Sequence, residues 1–224
     1  MTNLFAAPDR GLDGRPRRNP LGVHPHVNEN GRVSTPELIV AGYVLVRPTP
    51  SPSHLESVPD TILTVSDCIM ETLPHPEFWD WYTSCADAVE ARAGTPSDTL
   101  VVAVLMTVPD AQELIEETGG PGMPFHDLLR AQEPAECALL GYEPVGAEWT
   151  LDFHSWHCYG VADELKASLG VGVNEHGLIE SYADARRALD WMLSRPAEHA
   201  VAPVPWTVVG LTVVDPTAVG VDTP

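Results

Sequence analysis

The residues best suited to chemistry lie in one short run that contains two histidines and a cysteine. His154, His157 and Cys158 follow Asp152 closely in the chain. If residues 155–169 form one helix, His154 and Cys158 lie one turn apart on the same face, with His157 close to it. A cysteine beside a histidine near a helix N-terminus can be held as a nucleophilic thiolate, with Asp152 orienting the ring. This pattern allows a thiol-dependent enzyme.

The same three side chains are also possible zinc ligands. A zinc site needs one or two further ligands, and the sequence offers His176, His126 and Asp152. The spacing is not that of a zinc finger or of a His-Glu-x-x-His helix. The structural alternative is that Trp156, Cys158 and Tyr159 pack while the histidines form hydrogen bonds. We expect that alternative, and no cofactor.

Carboxylates and tryptophans are less specific signals. Glu143, Glu148 and Asp152 are possible acid/base groups, but solvated surface is the usual place of such residues. The six tryptophans could form a ligand cage, although tryptophans at helical spacing are more typical of a core.

The elements that must position these residues begin with three apolar, β-branched runs, which predict buried strands at 38–46, 99–107 and 206–214. A helix is predicted at 109–118, ended by two glycines, and another from the capping residue Ser181 through Met192. Shorter helices are predicted at 125–132 and after the capping residues 64–67, through Leu73.

Another helix is predicted to begin at Pro76 and to end before Gly94. Its apolar positions at helical spacing are Phe78, Trp81, Tyr82, Cys85 and Val89.

These elements predict an α+β (or α/β) fold, with a small mixed sheet of about three to five strands packed by helices. We assign residues 37–218 to a single globular domain. Residues 1–36 are interrupted by prolines and predict an extended N-terminal tail, and 219–224 form a C-terminal tail.

The formal net charge is −20, and the negative charge lies outside the arginine-containing tail. Such a body repels nucleic acid and lipid surfaces and attracts basic partners. The N-terminus lacks the pattern of a secretion signal and no apolar run is long enough to span a bilayer. The four cysteines are widely spaced. We therefore expect a cytoplasmic protein with reduced, mostly buried thiols.

Residues 139–192 carry three blocks that together form a familiar pattern. The blocks are Leu140-Gly141-Tyr142-Glu143, Phe153-His154-Ser155-Trp156 with Cys158, and Asn174-Glu175-His176-Gly177-Leu178. They resemble a set of uncharacterised bacterial proteins, some of which are similar to the small immunity proteins of toxin systems. This chain departs from the pattern at His157 and Tyr159, where an apolar residue and an asparagine are expected. The resemblance implies a partner-binding protein, with no catalytic residue to transfer.

The sequence therefore favours a non-catalytic acidic binding protein, immunity-like or inhibitory, that neutralises a basic protein partner. The expected contact charges are Glu113, Glu116, Glu117, Glu133, Glu136, Glu143 and Glu148. One alternative is a cytosolic enzyme that uses His154, His157 and Cys158, with or without metal. The other is a structural subunit whose N-terminal tail reaches a neighbouring copy in a homo-oligomer.

Overall fold

The computed structural model describes residues 36–52, 55–66, 68–69, 81–118, 138–147 and 153–214. These residues belong to one unit, Thr35–Pro224. The tails predicted at 1–36 and 219–224 and the helix predicted at 125–132 lie outside the described residues, apart from Pro36.

The main sheet in the described part of the chain contains five strands, and each pairs antiparallel with its neighbours. In spatial order they are β1 (Leu38–Val46), β4 (Leu100–Thr107), β7 (Trp206–Val213), β5 (Gly141–Ala147) and β6 (Phe153–Ser155). Two short strands, β2 (Thr49–Pro50) and β3 (Thr61–Ile62), pair separately. The α+β prediction and the strand number are confirmed, and the antiparallel pairing excludes the α/β alternative. The described sheet is antiparallel throughout, so the expectation of a mixed sheet is wrong.

Four α-helices accompany the sheet in the described residues: α1 (Cys85–Arg92), α2 (Val108–Thr118), α3 (Ala162–Leu169) and α4 (Tyr182–Leu193). Short 3-10 helices span Trp156–Tyr159 and Ala197–His199. No helix in the described ranges has the length and apolar character needed to span a membrane.

Interior strand β4 is buried on both faces, which explains its unbroken apolar sequence. Its even-numbered residues pack in one cluster with α2, formed by Val102, Val104, Met106, Ala111 and Leu114 among others. Its odd-numbered residues pack in another with α1, which includes Val101, Ala103, Leu105 and Ala88. Because successive side chains of a strand point to opposite faces of the sheet, neighbouring residues of β4 pack in two separate core clusters.

The predicted strands and the two main helices are confirmed to within about one residue at each end, a typical assignment difference. Helix α4 begins as its cap predicts. The Ser181 hydroxyl oxygen accepts a hydrogen bond from the Asp184 N–H at 3.1 Å.

Residues 155–169 do not form the single helix that would place His154 and Cys158 one turn apart. His154 lies in β6, and the 3-10 helix follows it directly. Gly160 then takes a left-handed conformation (φ 61°), which separates that 3-10 helix from α3. His154 and Cys158 are therefore not one helical turn apart.

Of the helix predicted from Pro76, residues 81–84 are not helical, because α1 begins only at Cys85. Pro76 itself lies outside the described residues. Tyr82 instead forms an isolated bridge with Tyr43 of edge strand β1, with paired main-chain hydrogen bonds of 2.8 and 2.9 Å. Residues 64–66, predicted to cap a short helix to Leu73, are not helical, and residues 68–69 form a turn, while the rest of that segment lies outside the described residues.

Candidate functional site

Three segments that are distant in sequence meet beside β5 and β6. The segment at residues 63–69 follows β3, the 3-10 helix follows β6, and a tight turn spans residues 174–178. The Leu63 N–H donates to the His176 carbonyl at 2.9 Å, and the His157 Nε2–H donates to the Gly177 carbonyl at 2.9 Å. These bonds fix the turn against both of the other segments.

Glu143 of β5 is the central buried polar group of this region and has no exposed surface. Its Oε1 accepts a hydrogen bond from the Thr64 hydroxyl at 2.5 Å, and its Oε2 accepts from the Val65 N–H at 3.1 Å. The Ser155 hydroxyl also donates to this carboxylate. No cation of the described residues pairs with Glu143.

Burial raises the pKa of Glu143 to about 7, against an ordinary value of 4.5. The donors from Ser155, Thr64 and Val65 favour the charged form but offset only part of this effect. The carboxyl group therefore exchanges its proton near neutral pH, inside the protein.

Cys158 contacts Ser66, which is hydrogen-bonded to the Thr64 side chain beside Glu143. Its Sγ is 3.1 Å from the Ser66 Oγ, and the Ser66 N–H donates to the Thr64 hydroxyl oxygen at 3.0 Å. Burial raises the pKa of the Cys158 thiol to about 11, although hydrogen bonds from Ser66 and Ser155 act in the opposite direction. Cys158 is therefore a protonated thiol at neutral pH, and not the thiolate nucleophile of the first hypothesis.

A second cysteine, Cys68, lies in the segment that follows β3 and contacts His154 of β6. Its Sγ is 3.2 Å from the His154 Nδ1, and the Cys68 thiol is near enough to Cys158 to raise the pKa of that cysteine. Cys68 is exposed, whereas Cys158 is partly buried. We refer to Ser66, Cys68, His154 and Cys158 as the dithiol cluster.

His157 does not belong to the dithiol cluster. Its side chain is 1% exposed, and its ring lies 4.3 Å from the Trp156 ring between centroids. Burial lowers the pKa of His157 to about 4, with the Gly177 hydrogen bond acting in the opposite direction. This histidine is neutral at physiological pH and holds the turn at residues 174–178 in place.

The residues proposed for catalysis or metal binding are thus only partly brought together. His154 and Cys158 share the dithiol cluster, His157 is turned toward Gly177, and Asp152 and His126 lie outside the described residues. His176 remains on the turn, with its side chain 40% exposed. In the described ranges, no three His, Cys, Asp or Glu side chains are placed to hold a metal ion together.

Two sequence-based expectations need correction. Glu143 is fully buried, so its assignment as a surface contact charge is wrong. The expectation of mostly buried thiols is also wrong for Cys68, Cys85 and Cys158, which are exposed or only partly buried.

Sequence reasoning missed Cys68, Thr64 and Ser66. No local motif marks them, because their partners lie far along the chain, 86 residues away for Cys68 with His154 and 79 residues away for Thr64 with Glu143.

A different candidate surface lies on α2. Glu113, Glu116 and Glu117 are exposed there, and their spacing places them on one side of the helix. Partial burial and the charge of Glu113 raise the pKa of Glu117. We refer to these three residues as the acidic face of α2. Of the other expected contact charges, Glu133, Glu136 and Glu148 lie outside the described residues.

Each described arginine forms an ion pair or a hydrogen bond with a group outside the acidic face of α2. Their partners are Asp98 for Arg47, the Thr99 carbonyl for Arg92, Asp110 for Arg186, Asp184 for Arg187 and Glu164 for Arg195. No cation in the described ranges forms an ion pair with the acidic face.

Comparisons with protein-family models, with curated proteins and with solved structures found no match for this chain. Its function is therefore inferred from the residues and their geometry.

Proposed function

We propose that this chain is a non-catalytic binding protein that uses the acidic face of α2 to bind a basic protein partner. The proposal rests on one observation: no cation of the described residues neutralises the three carboxylates of the acidic face. Glu113, Glu116 and Glu117 point outward with no described cation beside them, while the described arginines are engaged elsewhere.

The spacing of these glutamates makes their charges repel one another. Like charges at i and i+4, as at Glu113 and Glu117, destabilise a helix by about 0.2–0.5 kcal/mol. A cationic partner would relieve that repulsion on binding. The net charge of −20 would also steer such a partner toward the protein over roughly a Debye length, about 8 Å at physiological salt.

An inhibitory role follows naturally from this chemistry. A basic protein that binds an anionic ligand presents a cationic site, and an acidic cover over that site would block it. This is the immunity-like function implied by the resemblance of residues 139–192. The free thiols of Cys68, Cys85 and Cys158 support a reducing compartment, and we place this activity in the cytoplasm.

The test compares two charge-reversal variants with the wild type. The first changes Glu113, Glu116 and Glu117 to lysine. The matched control changes Glu37, Glu175 and Glu180 to lysine, which are exposed glutamates outside α2, so both variants have the same net charge. Each protein is used to capture partners from lysate, and the captured protein is identified by mass spectrometry and titrated at several salt concentrations.

The proposal expects a basic partner that the wild type and the control bind, that the α2 variant does not, and whose association slows as salt increases. Equal loss of binding in both variants would mean that only overall charge matters. Unchanged binding by the α2 variant would rule out the acidic face as the contact surface.

A further inference from the structure

We propose that Cys68 and Cys158 form a reversible redox pair, in which a hydroperoxide oxidises the two thiols to a disulfide. This modification site is independent of the acidic face of α2. The two cysteines come from different segments and meet in the dithiol cluster, where each sulfur also contacts a polar group that can assist its chemistry.

Cys68 is placed to react first. It is exposed, so a small oxidant can reach it from solvent. Its Sγ lies 3.2 Å from the His154 Nδ1, and an imidazole at that distance can accept the thiol proton and leave a nucleophilic thiolate.

Cys158 is placed to react second. It is partly buried, whereas Cys68 is exposed, and its Sγ contacts Ser66, two residues before Cys68 in the chain, so it meets an oxidised Cys68 more readily than it meets the oxidant in solution. Its contact with the Ser66 hydroxyl at 3.1 Å holds the sulfur in this position. Because burial raises the pKa of Cys158 to about 11, closure of the disulfide should become faster as pH increases.

The oxidation of the two thiols to a disulfide takes place in two steps. The Cys68 thiolate attacks one peroxide oxygen, the O–O bond breaks, and Cys68 becomes a sulfenic acid while the leaving oxygen takes a proton from His154. Cys158 then attacks the Cys68 sulfur, the S–S bond forms and the S–O bond breaks, and the displaced hydroxide takes the Cys158 proton to leave as water. Overall the two thiols are oxidised, and the hydroperoxide is reduced to water and an alcohol, or to two waters when it is hydrogen peroxide.

The first experiment uses the unmodified protein. It is treated with hydrogen peroxide, blocked with an alkylating reagent and digested without reduction, and the cross-linked peptides are mapped by mass spectrometry. The proposal expects a peptide pair joined through Cys68 and Cys158 that dithiothreitol separates. A pair joined through Cys85 or Cys137, or no cross-link at all, would overturn it.

Variants then separate the two steps. With Cys158→Ser, the sulfenic acid on Cys68 should persist and be trapped by a dimedone-type reagent. With His154→Ala, alkylation of Cys68 at neutral pH should slow by on the order of tenfold. Cys85→Ser is the matched control and should leave both results unchanged.

Failure of Cys158→Ser to accumulate the trapped adduct would refute the proposed order of reaction. Circular dichroism of each variant checks its folding, and the peptide map of the unmodified protein tests the disulfide without any variant.

Discussion

Replacing Glu143 by glutamine should stabilise the protein above neutral pH and change it little in mild acid. The carboxyl group is buried without a described cation, and three donors surround it from Thr64, Val65 and Ser155. A glutamine has the size and neutrality of the protonated acid. Its oxygen can accept from the Val65 N–H, and its amide can donate to the Thr64 hydroxyl.

The magnitude follows from the pKa of Glu143, which rises from 4.5 to about 7 on folding. Between these values the folded protein holds a proton that the unfolded chain has lost, so stability decreases as pH rises through this interval. Each pH unit corresponds to about 1.4 kcal/mol, which gives a total of about 3 kcal/mol. Below pH 4.5 both states are protonated, and above about 7 both are charged.

The assay is reversible urea denaturation of wild type and Glu143→Gln at several values between pH 4.5 and 8. The variant should match the wild type within about 1 kcal/mol at the acid end and exceed it by about 3 kcal/mol at pH 8. His157 titrates in an overlapping interval with the opposite sign, but the comparison between the two proteins cancels its contribution. A stability difference that does not change with pH would refute the reasoning.

Three other substitutions test the surrounding structure by the same denaturation assay. His157→Gln should remove an acid-sensitive contribution of about 3 kcal/mol, because the pKa of His157 falls from 6.5 to about 4 on folding. That contribution is present above pH 6.5 and is lost as pH falls toward 4, and an unchanged acid profile in the variant would contradict it. Gly177→Ala should cost about 2–4 kcal/mol, because φ is 76° and the added Cβ would lie 2.5 Å from the Ile62 Cγ2. Gly170→Ala is its control, with φ 68° and nothing within 4 Å, and should cost about 1 kcal/mol; equal costs would exclude the Ile62 contact as the cause. Ser181→Ala should cost about 1 kcal/mol by removing the cap of α4, with Ser181→Thr as the variant that retains most of the stability.

The sequence predicts best those strands whose own residues form a continuous apolar run. β1, β4 and β7 are continuous apolar runs, and such runs indicate buried strands without knowledge of their neighbours. Strand β5 was missed because it contains Pro144 and Glu143, residues that are rare in strands. Pro144 is accommodated because β6 pairs only with Val145–Ala147, so no described strand pairs with Pro144 on that side.

The candidate site was predictable only in part, since His154 and Cys158 are near in sequence while their partners are not. Glu143 is buried by a segment that contains Thr64, 79 residues earlier in the chain. Cys68 lies in that same segment. The separation of His157 from His154 comes from the change from β6 to the 3-10 helix after Ser155 and from the hydrogen bond of His157 to Gly177. Single-sequence periodicity contains no information about these tertiary contacts.

The place of β7 between β4 and β5 has a consequence for biosynthesis. Strands β1, β4, β5 and β6 are synthesised before β7, and in the folded sheet the pairs β1–β4 and β5–β6 are joined only through β7. Until Val213 leaves the ribosome, at a synthesis rate of about 5–20 residues per second, β4 and β5 lack the partner strand that covers one edge of each in the folded protein, and we expect those edges to be exposed to other chains. During synthesis, those two edges are where we expect a chaperone to bind.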